Sequence, residues 1–256
     1  MHKAPPIGGL RVTLGLLLAM LVHNLIYPLS DLGGVWPALF YMFYGLIFVV
    51  ATWGLVADAR MRGLAAICGA AVIVAGLLNS YTPGPWTALA VFVSSIAYHL
   101  VMGWVLAVYI FRASVVMTDV LLAATSIYLG IGSGFAAIFA LIEWIAPGSF
   151  AVASGQPISW QQMVYFSYVT LTTVGYGDIT PQGFYAQSFA IFEAVIGVLY
   201  TVILLSRLVG MHTSPKAPKA PWRSGRSHAG RSIAQHWPPA GFAVMLVTLT
   251  EPPRAN

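Results

Sequence analysis

The chain has 256 residues, of which 59% are hydrophobic and 7% charged, with a formal net charge of +5. An ordinary soluble domain carries about a quarter charged residues, so this composition excludes a soluble globular fold and asks for a bilayer. The single cysteine, Cys68, excludes an intrachain disulfide framework; in its apolar setting it reads as a small buried hydrophobe.

A spanning helix needs about 20 mostly apolar residues. Six such segments follow in chain order, over about 11–29, 37–57, 63–80, 86–111, 118–146 and 184–209. Turn chemistry separates them: Asp31-Leu32-Gly33-Gly34, the arginines at 60 and 62, Thr82-Pro83-Gly84-Pro85 and Pro147-Gly148-Ser149. The first segment opens with Lys3 and Arg11, as a signal peptide would. Its apolar stretch exceeds a signal core and no small-x-small site follows before Asp31, so it reads as a span. With the N-terminus in the cytoplasm, Lys3, Arg11, Arg60, Arg62, Arg112 and everything basic from Arg207 onward fall inside. All 12 basic residues then obey the positive-inside rule. The positive charge therefore sets topology and does not mark a nucleic-acid surface. The expected fold is an all-α membrane protein of six transmembrane helices. Both termini are expected in the cytoplasm and the loop over 147–182 outside.

That loop is not featureless. Residues 159–172 read SWQQMVYFSYVTLT, too short to span but long enough for a re-entrant helix of about 20 Å. Ser159 is a suitable N-cap, with Gln161 and Gln162 in the first turn. Residues 172–178 then read Thr-Thr-Val-Gly-Tyr-Gly-Asp. Gly175 and Gly177 can take backbone conformations that a Cβ blocks. A strand alternating between two such conformations can turn successive carbonyls to one side. Four copies around an axis would stack rings of oxygen able to replace the water shell of a potassium ion. The string resembles the selectivity filter of the potassium channel family, Thr173-Val174-Gly175-Tyr176-Gly177 followed by the acidic Asp178. The order outer helix, short helix, filter, inner helix over about 118–210 resembles that family's two-helix pore module. The six-segment layout resembles its larger members.

The resemblance implies roles residue by residue. The hydroxyl and carbonyl of Thr173 and the carbonyls of Val174, Gly175 and Tyr176 would coordinate K+, the permeant ion, with no other cofactor. The Val174 and Tyr176 side chains would point away from the axis and pack on the pore helix. Thr172 would support the filter, and Asp178 would raise the cation concentration at its mouth. Tyr165 and Phe166 would form an aromatic cuff, with Tyr168 nearby. Val169 stands where some bacterial relatives carry a glutamate that pairs with the filter aspartate. The pore helix would turn its negative dipole end to the cavity below the filter. One filter per chain implies a homotetramer of cyclic symmetry.

Three domains are expected: a four-helix membrane domain over 1–112, a pore domain over 113–211, and a basic Pro/Ser/Gly-rich cytoplasmic tail over 212–256. Glu193 lies inside the sixth segment, where a carboxylate is costly. It can face a water-filled path, hydrogen-bond the base of a neighbouring pore helix, or carry a proton. Gly197 reads either as a hinge or as a small residue for close packing; both residues are gating candidates. Glu143 reads as a solvated or interfacial charge at the end of the outer helix. Gly130, Gly132 and Gly134 lack the βαβ context of a nucleotide loop and read as packing glycines. Segment four has no arginine before Arg112, and moving one charge through the field supplies only about 2.3 kcal/mol per 100 mV. No strong voltage sensing is expected. Its His99 is expected to hydrogen-bond a neighbour. The tail carries Lys216, Lys219, Arg223, Arg226 and Arg231. It reads equally as a solvated tail or as a patch for anionic lipid headgroups. Its apolar run 242–249 is too short to span.

No metal-ligand cluster, nucleophile–base pair or phosphate loop supports catalysis. Within the channel class, the intact aromatic and glycines of the filter argue against a weakly selective cation channel. A transporter of channel-like repeats is disfavoured because the filter occurs once. The expectation is a passive potassium channel in the cell membrane.

Overall fold

The computed structural model describes residues 9–26, 33–55, 59–112, 118–152, 155 and 157–212. The chain divides into two units, 1–214 and 215–256, and every element lies in the first. Lys3, the turn at Asp31 and Leu32, and the basic tail with its 242–249 run lie outside the described residues.

Among the described residues, seven helices and two short strands form. They are α1 (Gly9–Ile26), α2 (Trp36–Leu55), α3 (Ala59–Tyr81), α4 (Pro85–Arg112), α5 (Thr118–Ile145), β1 (Phe150–Val152), α6 (Trp160–Leu171), β2 (Ile179–Pro181) and α7 (Phe184–His212). The six expected spans are helices, and the short helix lies between the last two. Among the described residues, α1, α3, α4, α5 and α7 are long and apolar enough to cross a membrane, and α2 is a helix of 20 residues. The breaks follow the turn chemistry. Gly33 and Gly34 take left-handed conformations before α2. Pro85 begins α4, where its missing N–H costs nothing.

Helix α5 is the spine. Helices α1 to α4 pack in sequence, and both α1 and α4 also rest on α5. Helix α6 packs between α5 and α7. One apolar cluster joins α1, α2, α3, α4 and α5 through Leu16, Tyr44, Val72, Tyr98, Leu106 and Ala123, with Cys68 half-buried against it. A second lies behind α6, where the rings of Phe139, Phe150 and Phe166 meet pairwise with centroids 5.1 to 5.5 Å apart. Such ring pairs add about 0.5–1.5 kcal/mol each beyond burial. His99 meets its expectation: its Nδ1 lies 2.7 Å from the Ser95 carbonyl one turn earlier.

The strands were not expected. β1 and β2 pair antiparallel, Phe150 with Pro181 and Val152 with Ile179. This ribbon ties the chain ahead of α6 to the chain behind the heptapeptide. Glu143, expected as a solvated or interfacial charge at the end of the outer helix, is half-exposed and also holds the turn that follows. Its Oε1 accepts from Gly148 N at 2.8 Å and its Oε2 from Phe150 N at 3.1 Å. The carboxylate clamps the turn into β1.

Ser159 caps α6 in a reciprocal box. Its hydroxyl accepts from Gln162 N at 3.3 Å, and the Gln162 side chain accepts from Ser159 N at 2.8 Å. Loss of such a cap costs about 1 kcal/mol. In Ser159→Ala, amide exchange in the first turn of α6 is expected to quicken several-fold, with Ser159→Asp close to wild type.

Candidate functional site

Helix α6 runs 12 residues, about 18 Å, and ends where the heptapeptide begins. The last four carbonyls of a helix have no partner inside it. Here each finds one. Tyr168 O accepts from Thr172 N at 3.0 Å and Thr172 Oγ1 at 2.7 Å. Val169 O accepts from Val174 N at 3.0 Å and Gly175 N at 3.3 Å, and Thr170 O from Thr173 N at 3.0 Å. Leu171 O accepts from the Tyr128 hydroxyl at 3.2 Å.

These bonds orient the segment. The N–H groups of Thr173, Val174 and Gly175 point back to α6. Among the described residues no peptide bond is cis, and in a trans peptide N–H and C=O point in opposite directions. The carbonyls of Thr172, Thr173 and Val174 therefore point away from α6. Every second residue is left-handed, with φ +60° at Thr173, +57° at Gly175 and +78° at Gly177. For the β-branched Thr173 this is strained backbone. Such outliers cost about 1–3 kcal/mol and persist only where the surroundings hold them.

The side chains expected to support the segment are placed as follows. Tyr165 and Tyr176 stack with parallel rings, centroids 6.3 Å apart. The Tyr165 hydroxyl is within electrostatic reach of the Asp178 carboxylate, and Asp178 Oδ1 accepts from Ile179 N at 3.1 Å. Phe166 does not join a cuff. One position further around the helix, it points into the cluster with Phe139 and Phe150, bracing α6 from behind. Tyr168 likewise turns from the heptapeptide. Its hydroxyl donates to Leu129 O at 2.8 Å, accepts from Asn24 Nδ2 at 2.8 Å and lies 3.1 Å from Ser133 Oγ. Gly132 admits that ring, since a Cβ there would lie 2.7 Å from it. In the single chain Val174 and Tyr176 are exposed, at 52% and 70%, with one face of the Tyr176 ring toward Tyr165 of α6.

Glu193 is fully buried on α7, and its Oε1 lies 2.5 Å from Ser167 Oγ on α6. Of the three readings, a contact with the short helix is the one seen, and it is made within the same chain. Gly197 packs: a Cβ there would fall 2.1 Å from Leu171 O. Gly132 and Gly134 are packing glycines too, against Tyr168 and His99. Ser167, Asn24 and Tyr128 were not singled out in the sequence. Only a polar residue within an otherwise apolar helix signals them there.

Tyr168→Phe leaves the part-buried Asn24 amide without its acceptor, at about 1–3 kcal/mol. A lower melting temperature in detergent is expected. Asn24→Leu in the same chain removes the orphaned donor, so the double variant should lose less than the two single losses combined.

A family model described as an ion channel matches residues 86–213, half of the chain. The chain is 36% identical over 83 residues to two-pore potassium channel 2 of Arabidopsis thaliana, covering 32% of this chain and 17% of that one. It is 43% identical over 63 residues to two pore potassium channel c of Oryza sativa subsp. japonica, covering 25% and 14%. Protein LctB of Geobacillus stearothermophilus is 31% identical over 81 residues, covering 30% and 60%. The matched part spans less than a fifth of either plant relative. No solved structure matches significantly.

Proposed function

The chain belongs to the ion-channel family, and on that basis we propose that it is a potassium-selective channel, conducting passively through a pore made by four copies. It is a channel and not an enzyme. The observation that carries the selectivity is the backbone of 172–177. Three N–H groups are held by α6, their paired carbonyls face away, and left-handed residues alternate. That arrangement supports rings of carbonyl oxygen that replace the hydration shell of K+. Thr173, Val174, Gly175 and Tyr176 supply the ion ligands, and Gly177 lets the strand turn out of the filter toward Asp178. Asp178 and Tyr165 steady the mouth. The names of the plant relatives support potassium as the ion.

Four copies follow from one filter per chain, since a closed ring needs several. The exposed Val174 and Tyr176 and the exposed apolar residues of α7, among them Phe192, Val195 and Leu199, support this reading. They await neighbouring copies. The termini face the cytoplasm, the filter mouth lies outside, and the basic tail adheres to anionic headgroups. α4 has no arginine before Arg112, so conduction does not depend steeply on voltage.

The test is cation flux in liposomes holding the purified full chain, under potassium or sodium gradients, with barium as blocker. Barium-blocked flux in potassium with little in sodium is expected. Equal flux in both would overturn selectivity and leave a general cation channel. A monomer by crosslinking in the same liposomes would overturn the four-copy pore.

A further inference from the structure

Three oxygens line up across three helices. Glu193 Oε1 on α7 lies 2.5 Å from Ser167 Oγ on α6, and that oxygen lies 2.6 Å from the Gly132 carbonyl on α5. Contacts this short between oxygens each need a proton, since otherwise lone pairs face one another. The carbonyl has none and the serine hydroxyl has one. An ionised carboxylate also has none, so one of the two contacts would be bare. A neutral acid provides the missing proton. Glu193 then donates to Ser167, and Ser167 donates to Gly132.

The other carboxyl oxygen points to the same state. Oε2 is buried and has no hydrogen-bond partner among the described residues. In an ionised group it would be half of a buried, unpaired charge, which is costly. In a neutral acid it is an ordinary carbonyl oxygen. Among the described residues, the titratable groups within electrostatic reach are the phenols of Tyr128 on α5 and Tyr168 on α6, and neither offers a positive charge.

We propose that Glu193 is a positioning residue of the filter, held as a neutral acid and acting through the relay Glu193, Ser167, Gly132. Ser167 stands two residues before Val169, whose carbonyl holds the amides of Val174 and Gly175. One turn along α7, Gly197 sits against Leu171 O. The inner helix thus grips α6 at its middle and at its end. The relay fixes the depth at which α6 presents its carbonyls, and so the height and width of the carbonyl rings. This role rests on the channel reading, whereas the protonation does not.

The test uses full-length protein in liposomes, carrying Glu193→Gln, Glu193→Met or Ser167→Ala, with crosslinking to score assembly. Gln keeps a donor toward Ser167, and the potassium-to-sodium flux ratio should stay within about twofold of wild type. Met keeps the length but not the donor, and the ratio should fall at least tenfold in intact tetramers. Ser167→Ala together with Glu193→Met should be no worse than Glu193→Met alone. Infrared spectra of wild type at neutral pH should show a protonated-carboxyl band that is lost in Glu193→Gln and shifted in Ser167→Ala. Absence of that band, or a wild-type ratio in Glu193→Met, overturns the proposal. If Glu193→Met does not assemble, Ser167→Ala decides, and unchanged selectivity there overturns it. Should wild type prove unselective, the channel reading fails and the positioning role with it, while the infrared band still decides the protonation.

Discussion

Gly175→Ala is expected to abolish potassium-selective flux while leaving the helices folded. Gly175 sits at φ +57° with open space where a Cβ would go, so the cost is conformational and not steric within the chain. Left-handed backbone costs a residue with a side chain about 1–2 kcal/mol. In the proposed four-fold ring this amounts to about 4–8 kcal/mol against the conducting geometry, and every 1.4 kcal/mol, roughly, is a factor of ten. The chain relieves the strain by turning that peptide, which takes a carbonyl out of the ring. Potassium flux in liposomes should fall at least a hundredfold, with the far-ultraviolet circular dichroism of wild type. A Gly175→Ala protein that still excludes sodium and passes potassium would show that the ring does not depend on this backbone.

Gly197→Ala should fail differently, by loss of assembly. Its added Cβ would lie 2.1 Å from the Leu171 carbonyl oxygen and 3.1 Å from the carbonyl carbon. Backbone cannot swing aside as a flexible side chain does, so α7 must back away from α6 or the end of α6 must move. Overpacking of this kind costs about 1–3 kcal/mol and occasionally more, here at every copy. A melting temperature several degrees lower and fewer crosslinked tetramers are expected. Gly103 on α4 is the contrast, with nothing within 4 Å of its Cβ position. Gly103→Ala should gain slightly, because alanine favours helix by about 1 kcal/mol. If Gly197 served only as a hinge, Gly197→Ala would alter opening while assembly and melting stayed as in wild type.

Much of this molecule could be read from the sequence because much of it is set locally. Length and apolarity define a span without any knowledge of its neighbours. Ser159 is legible as a cap because cap and amide are three residues apart. The alternation at 173, 175 and 177 is legible because glycine is what such backbone requires, although Thr173 gives no such sign. What escaped depends on how helices are set against each other. Asn24 and Tyr168 are 144 positions apart and Ser167 and Glu193 are 26 apart; no periodicity within one helix says which of its polar residues meets another. The 150–152 and 179–181 ribbon is hidden for the same reason, since three-residue strands carry too little pattern. Tyr165 and Phe166 show the limit at closest range. Adjacent in sequence, they point about 100° apart, one to Tyr176 of the heptapeptide and one to the core behind.

The engagement of all four terminal carbonyls of α6 has a kinetic consequence. Helix ends ordinarily fray first, one turn at a time. Here the last turn cannot open without releasing the amides of residues 172–175, and those amides cannot release without exposing that turn. Helix end and carbonyl strand therefore open as one cooperative element, and the slowest amide within it sets the exchange lifetime of the whole.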